Sequence, residues 1–285
     1  MTQIKDKFLD TVKSLLIILP IAFFIRTFVY GLYQVPTSSM ETTMLVGERF
    51  LADKFSVWLG RLERGNIIAF NDYWRFKYST NPAKRLFQMY VWGPENWTKR
   101  IIGKPGDHVK GVIEDGKPVV YLNGQKLDEP YVNKYPLIAT YVPGGAPIDG
   151  SSYLYRSYDP SVSLEAQPFY RLEQANVALA KRMFTAMGAS PILEPGTPVT
   201  DGNRNVDEFD EQLGENEYWV MGDNRMNSGD SRFNGPLPAE YIHAKIVLRL
   251  WSIDSAESWW IVDLIKHPID FWTRVRWSRF FQILS

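Results

Sequence analysis

Two short stretches of this 285-residue chain gather polar side chains densely enough to suggest chemistry. One is Pro36-Thr37-Ser38-Ser39-Met40. The other runs Met221-Gly222-Asp223-Asn224-Arg225-Met226-Asn227-Ser228-Gly229-Asp230-Ser231-Arg232-Phe233. Any nucleophile in them is a hydroxyl, because the chain has no cysteine. Thiol catalysis, thiolate zinc sites, iron–sulfur clusters and disulfides are excluded with it. His108, His243 and His267 are too scattered to suggest a triad or a metal centre, and no Gly-x-Ser-x-Gly elbow occurs. Gly103-Lys104-Pro105-Gly106-Asp107 lacks the spaced glycines and the Gly-Lys-Ser/Thr ending of a phosphate loop. No glycine fingerprint for a dinucleotide is present either. No metal and no cofactor is therefore expected. On composition alone both polar stretches read as solvated turns.

The first polar stretch follows an apolar segment. SLLIILPIAFFI, between Lys13 and Arg26, is short for a bilayer core of roughly 30 Å, which takes about 20 helical residues. Extended from Ser14 to Tyr33 it reaches that length with Arg26 as its only charge, and a terminal arginine can extend to the headgroups. Pro20 is tolerated in such a helix. A cleaved leader would need a small-x-small site, whereas RTFVYGLYQV follows. A buried core helix would show a polar face, and Leu15 to Ile25 shows none. Residues 1–33 are expected to be a cytoplasmic start and an uncleaved anchor. Lys5, Lys7 and Lys13 keep the amino terminus in the cytoplasm and the body outside.

The body reads as strands broken by turns. Arg64-Gly65-Asn66 opens the buried strand Ile67–Phe70; Arg100–Gly103, Val119–Leu122, Tyr218–Met221 and Ile246–Leu250 are further strands. Asn123-Gly124 is a hairpin turn signal. Residues 71–98 are aromatic and basic without a clean period, and suit either a lipid surface or a core. Leu172, Ala175, Leu179, Met183 and Met187 recur at helical spacing before Gly188, which predicts a helix over about 169–187. It lies in an insertion spanning 128–214, between core segments 34–127 and 215–250. The tail, 251–285, holds five of the ten tryptophans, and its last part carries Arg274, Arg276 and Arg279 without an acid. It suits either a membrane interface or packing across the base of the domain.

Composition sets the outer bounds. With 45% hydrophobic residues and 32 basic against 32 acidic side chains, the chain is no disordered polyelectrolyte. Zero net charge argues against nucleic acid as a partner.

In its motifs the chain resembles the bacterial type I signal peptidases, the serine/lysine endopeptidases that cut leader peptides from exported proteins. A Ser-Met motif just after the anchor is matched by Val35-Pro36-Thr37-Ser38-Ser39-Met40. A Lys-Arg-x-x-Gly-x-Pro-Gly-Asp motif is matched in full by Lys99 to Asp107. A Gly-Asp-Asn-Arg…Asn-Ser-x-Asp-Ser-Arg motif is matched by Gly222 to Arg232, and Arg64 to Phe70 resembles a fourth block. Order and spacing fit. These blocks cover about a fifth of the chain.

The resemblance implies Ser39 as nucleophile and Lys99 as general base. It implies the Ser39 N–H and the Thr37 hydroxyl as oxyanion hole, with Thr37 where some relatives have serine, and Ser228 as the residue that orients the base. Asp230 and Arg232 are implied as a supporting ion pair, Asp223 and Arg225 as braces of their loop, and Met40 as packing beneath the site. The chemistry is consistent without histidine. A serine needs its proton removed as it attacks, and a lysine can take it only when neutral. That requires its pKa to fall about 2–3 units from roughly 10.4, through burial. Thr42 stands where proline is common, Asn66 and Met226 where aspartate is common.

The implied fold is mainly β, coiled antiparallel sheets with an N-terminal transmembrane helix and an inserted α-containing subdomain. The implied activity is removal of signal peptides after an Ala-x-Ala-like site through an acyl-enzyme, on the outer side of the cytoplasmic membrane. Partners would be signal-peptide-bearing preproteins, the lipid bilayer and, transiently, the secretion machinery. The remaining readings are a protease for one dedicated precursor and a non-catalytic membrane scaffold on the same fold.

Overall fold

The computed structural model describes residues 2–45, 47–90, 93–134, 137–141, 153–155, 192–193, 196–253 and 260–284. The helix expected over 169–187 lies outside them.

Helix α1 (Thr2–Phe24) continues into a π-helical turn, Ile25–Val29. Its apolar side chains have almost no protein around them: Leu16 is 68% and Leu19 61% exposed. A helix apolar on every face and solvated by nothing in the fold belongs in a bilayer. The stretch long and apolar enough to cross is Thr11–Val29. The anchor thus ends four residues before Tyr33. Tyr30–Gln34 form strand β1 instead, because they pair with β2 (Arg49–Asp53) from Tyr30↔Asp53 to Gln34↔Arg49.

The remaining elements follow in order. They are α2 (Phe55–Trp58), β3 (Ile67–Asn71), α3 (Pro82–Tyr90), β4 (Asn96–Gly103), β5 (His108–Glu114), β6 (Lys117–Leu122), β7 (Gln125–Lys126), β8 (Leu137–Tyr141), β9 (Tyr153–Tyr155), β10 (Ile192–Leu193), β11 (Thr200–Asp201) and β12 (Arg204–Asn205). Then come β13 (Phe209–Gln212), β14 (Glu217–Met221), α4 (Ser231–Asn234), β15 (Leu237–Pro238), β16 (Ile242–Trp251), α5 (Trp260–Lys266), α6 (Asp270–Thr273) and β17 (Gln282–Ile283).

The main sheet is antiparallel, in the order β1-β2-β16-β3-β4-β14-β15, with β17 added on β16. A four-stranded sheet, β13-β5-β6-β7, adjoins it in sequence. Strand β13 falls within the stretch read from sequence as insertion, yet it pairs with β5. The Asn123-Gly124 hairpin forms as expected: both residues have positive φ, and Leu122 pairs with Gln125.

Strand β3 is buried throughout, and its period-two alternation divides it between two cores. Ile67 and Ala69 join Val35, Met40, Met44 and Phe50; Ile68 and Phe70 join Ile101, Val220 and Leu237. Within the ambiguous 71–98 segment, Tyr73, Trp74, Tyr78 and Trp97 pack on that second core, so these aromatics fill the fold. Helix α3 escaped the sequence reading, although Asn81 before Pro82 is a start signal; Asn81 Oδ1 caps it by accepting from the Lys84 N–H at 3.1 Å.

The tail has its own small core of Ile253, Phe271 and Val275, with Trp251, Trp260 and Phe280 against it. Its arginines find acids elsewhere. Arg274 forms a two-point pair with Asp263 at 2.7 and 2.9 Å, and Arg279 reaches Glu48. Arg274 thus closes the tail on itself, and Arg279 ties it to the body.

Candidate active site

Ser39 lies in a 3₁₀ turn, Ser38–Met40, that follows the edge strand β1 by three residues. Met40 anchors the turn in the core at 1% exposure, so Ser39 is held at the surface of a packed layer. Lys99 comes from the middle of β4. The register Ile68↔Lys99 and Ile67↔Arg100 puts Lys99 on the face of Ile68, Trp97 and Ile101, and Arg100 on the opposite face.

Lys99 Nζ and Ser39 Oγ are 2.8 Å apart, and Nζ also donates to the Thr98 carbonyl at 3.1 Å. The lysine is 1% exposed, and the Trp97 ring centroid lies 5.3 Å from Nζ. Burial pulls the amine down from its ordinary value to about 8; Asp230 and Asp223 oppose that shift and Arg232 assists it. Near neutral pH a useful fraction is therefore the free amine, whose lone pair can accept the Ser39 hydroxyl proton.

The second polar stretch wraps the first. Asn224 donates its backbone N–H to the Ser39 carbonyl at 3.1 Å and its side-chain amide to the Ser38 carbonyl at 3.1 Å; Asn227 donates to Ser38 Oγ at 2.5 Å. Gly222 is required by this approach, since a Cβ there would collide with the Ser228 side chain and the Ser39 carbonyl. Asp223 is fully buried and takes two hydrogen bonds from Arg100, at 2.9 and 2.7 Å, plus one from Thr43 Oγ1 at 2.5 Å. It therefore ties β4 to the turn that carries Ser39.

Asp230 and Arg232 form the expected pair at 2.9 Å, both at 0% exposure. Burial raises the Asp230 carboxyl, but Arg232 and the Gly222 and Ser228 hydrogen bonds outweigh it and leave the group below its usual range. Arg232 also bonds Asp207 at 2.7 Å. Arg225 braces the loop through the Gly222 carbonyl and a two-point pair with Glu129. Thr37 is exposed and borders the groove described below.

One expected contact differs. The Ser228 hydroxyl donates to Asp230 Oδ2 at 2.7 Å, and among the described residues it has no hydrogen bond with Lys99. Its single proton goes to an ionised acceptor, the stronger partner in a buried setting. Of the three departures noted in sequence, Asn66 serves its turn, accepting from the Glu63 N–H at 3.0 Å.

Sequence reasoning left out Asp207, Glu129 and Glu48. Each meets an arginine between 25 and 231 positions away, beyond any local pattern. Asn224 and Asn227 lay inside the quoted motif and were given no role; an amide beside a run of turn residues was the signal available.

A groove of about 860 Å³ opens over Ser39 and Lys99. It is bounded by β1 residues on one side and by Asn96–Thr98 on the other, and runs toward Phe24 and Phe28 at the end of the anchor. Both flanks offer backbone. Strand β1 is the sheet edge, and Asn96–Thr98 pair only with β3, since β14 meets β4 from Arg100 onward. An extended peptide could add to either.

A family model described as signal peptidase, peptidase S26, matches residues 8–251. The chain belongs to the signal peptidase family, peptidase S26. It is 26% identical to a signal peptidase I of Rickettsia bellii over 298 residues, covering 95% of this chain and 84% of that one. It is 25% identical to signal peptidase I U of Bacillus subtilis over 229 residues, covering 80% and 79%. A crystal structure of a signal peptidase I from Enterococcus faecalis overlaps 65% of this chain and 95% of that one at 20% identity; with a TM-score of 0.28, nothing further rests on it. This signal peptidase is a membrane-bound serine endopeptidase that acts on exported preproteins. It crosses the cytoplasmic membrane once through α1, with the amino terminus inside and the β body on the outer face.

Proposed function

We propose that Ser39 is the nucleophile and Lys99 the general base of this signal peptidase. The observation that carries this is the fully buried Lys99 amine, 2.8 Å from Ser39 Oγ, with its pKa lowered to about 8. The neutral amine takes the Ser39 proton as Oγ attacks the scissile carbonyl carbon. The resulting ammonium gives that proton to the leaving amine when the C–N bond breaks, which leaves an ester on Ser39. Lys99 then deprotonates the water that hydrolyses the ester. The Ser39 N–H and Thr37 hydroxyl are proposed to hold the oxyanion; Thr37's place at the groove edge supports this. Ser228, through its bond to Asp230, is proposed to orient the surroundings of the amine and not the amine itself. The groove between two unpaired strand edges supports an extended substrate with small side chains, of Ala-x-Ala type, leading toward the bilayer end of the anchor. Transient contact with the secretion machinery accompanies this reading, because a leader is exposed as its precursor crosses the membrane.

The test is cleavage of a labelled Ala-x-Ala precursor by the full chain in detergent or liposomes, beside Ser39→Ala and Lys99→Ala. Loss of at least about 10³-fold in both is expected. A variant that keeps cleavage within tenfold of wild type would exclude its residue from the dyad. A folded wild type that leaves such precursors uncut would point to a dedicated substrate or a scaffold.

A further inference from the structure

Beyond residue 251, where the family match ends, the chain turns back to the nucleophile loop. The link is one buried carboxylate. Glu48 is 0% exposed, and its two oxygens collect Arg279 Nε at 2.5 Å, Arg249 Nε at 3.0 Å, Ser252 Oγ at 2.8 Å and the Leu45 N–H at 2.9 Å. The two guanidiniums do more than neutralise it. Arg279 donates to the carbonyls of Thr43 at 3.1 Å and Thr42 at 3.4 Å, and Arg249 also donates to the Thr43 carbonyl. Thr42 and Thr43 lie three and four residues after Ser39, and Thr43 Oγ1 in turn holds Asp223. The loop is thus gripped from both sides: by the Gly222–Ser231 segment on one, and by the tail on the other.

We propose that Arg279, carried on the C-terminal tail, is a positioning residue for the Ser39 turn. It acts by fixing the carbonyls of Thr42 and Thr43 against the Glu48–Arg249 pair. Its seating has a mechanical basis. Strand β17 adds to β16 with Gln282 opposite Arg249, and Phe280 packs on the tail core, so Arg279 is delivered between two fixed points. At 7% exposure it gives up hydration, which is offset because its Nε and Nη2 donate to Glu48 and to the Thr42 and Thr43 carbonyls. A family proline is common where Thr42 stands; here the loop carries Thr42 and is held from outside by the arginine. The 2.8 Å approach of Oγ to Nζ depends on that turn, and a shift of about 1 Å in a reacting group costs on the order of 10²-fold in rate.

This inference rests on the reading of Ser39 as nucleophile, and its experiment separates the two. Precursor cleavage by the full-length protein would be compared for wild type, Arg279→Gln, Arg279→Lys, Arg274→Gln and Ser39→Ala. Active sites would be titrated with a serine-directed acylating probe, and thermal unfolding followed. The expected result is a kcat per folded molecule lower by about 10- to 100-fold in Arg279→Gln, the scale of a small misplacement, with KM little changed. Arg279→Lys keeps the charge but loses the fork and should recover only part. Arg274→Gln loosens the tail at its Asp263 pair, away from the loop, and should keep wild-type kcat. If Arg279→Gln lowers only the melting temperature while kcat per titrated site stays at wild type, the residue is structural and the proposal fails. If Arg274→Gln loses as much kcat as Arg279→Gln, general docking of the tail is responsible and the proposal again fails. If Ser39→Ala still cleaves, the dyad reading itself falls, whatever Arg279 does.

Discussion

Lys99 and Arg100 are one peptide bond apart on β4, both buried and both basic, and their environments are opposite. Arg100 faces a carboxylate: Asp223 takes two of its hydrogen bonds, the Gly65 carbonyl takes a third at 2.7 Å, and the Tyr131 ring lies 4.1 Å from its guanidinium. Lys99 faces a serine hydroxyl, a backbone carbonyl and an indole, with no carboxylate among the described residues in hydrogen-bond contact. The two acids whose charge acts on it, Asp230 and Asp223, are occupied by Arg232 and Arg100. One strand thus pairs one cation with a carboxylate and drives the next toward neutrality. A buried amine becomes a base when its counter-ions are engaged elsewhere.

Four substitutions or titrations test that contrast. The largest effect is expected from Lys99→Arg, which keeps a cation at the site but cannot become neutral. Precursor cleavage should fall about 10³–10⁴-fold with the fold retained; cleavage within tenfold of wild type would mean that the neutral amine is not needed. Next is Asp223→Ala. It strands Arg100 as a buried, unpaired charge, and unfolding in detergent should show a loss of about 3–5 kcal/mol. A loss under about 1 kcal/mol would show that the pair is not what holds β4 to the loop.

Lys99→Met should move the other way. The lysine's folded pKa of about 8 lies below the 10.5 of an unperturbed lysine. Below pH 8 the folded protein therefore carries a buried charge that costs up to about 3 kcal/mol, and that cost is relieved as pH rises from 8 to 10.5. At pH 7 the methionine variant should be more stable than wild type by up to that amount, with the gap closing toward pH 10.5. A destabilised variant at pH 7 would show that packing, and not charge, dominates the site. The smallest effect is on the rate profile. Cleavage should rise about tenfold per pH unit below pH 8 and level off above it, following the free amine. A flat profile between pH 6 and 8 would detach catalysis from Lys99 titration.

Legibility in the sequence divided along the same lines. Ile67–Phe70 was readable as a buried strand because a strand buried on both faces is apolar at every position. Asn123-Gly124 was readable because a two-residue hairpin loop admits few other residues. The end of the anchor was not. Tyr30–Tyr33 is apolar enough to continue a helix, and only β2, twenty residues on, takes it as a strand. Helix α3 had its start signal at Asn81-Pro82, but its nine residues are too few for a helical period to stand out from the aromatic segment around it.

The site divides likewise. The residue types at Ser39 and Lys99 and the motif blocks around them stand in the chain itself; what pointed to their chemistry was the resemblance of those blocks to a family, since the residues alone read as turns. The chain alone also set the apolar length that crosses a bilayer. Which charges pair was decided by tertiary structure. The sequence holds equal numbers of acids and bases; the motif resemblance paired Asp230 with Arg232 two residues on, but nothing local says that Asp223 belongs to Arg100, or Glu48 to Arg249 and Arg279. A pKa is a property of what surrounds a group after burial, so the Lys99 amine is driven toward neutrality only when β4, the Ser39 turn and the Gly222–Ser231 loop close on one another.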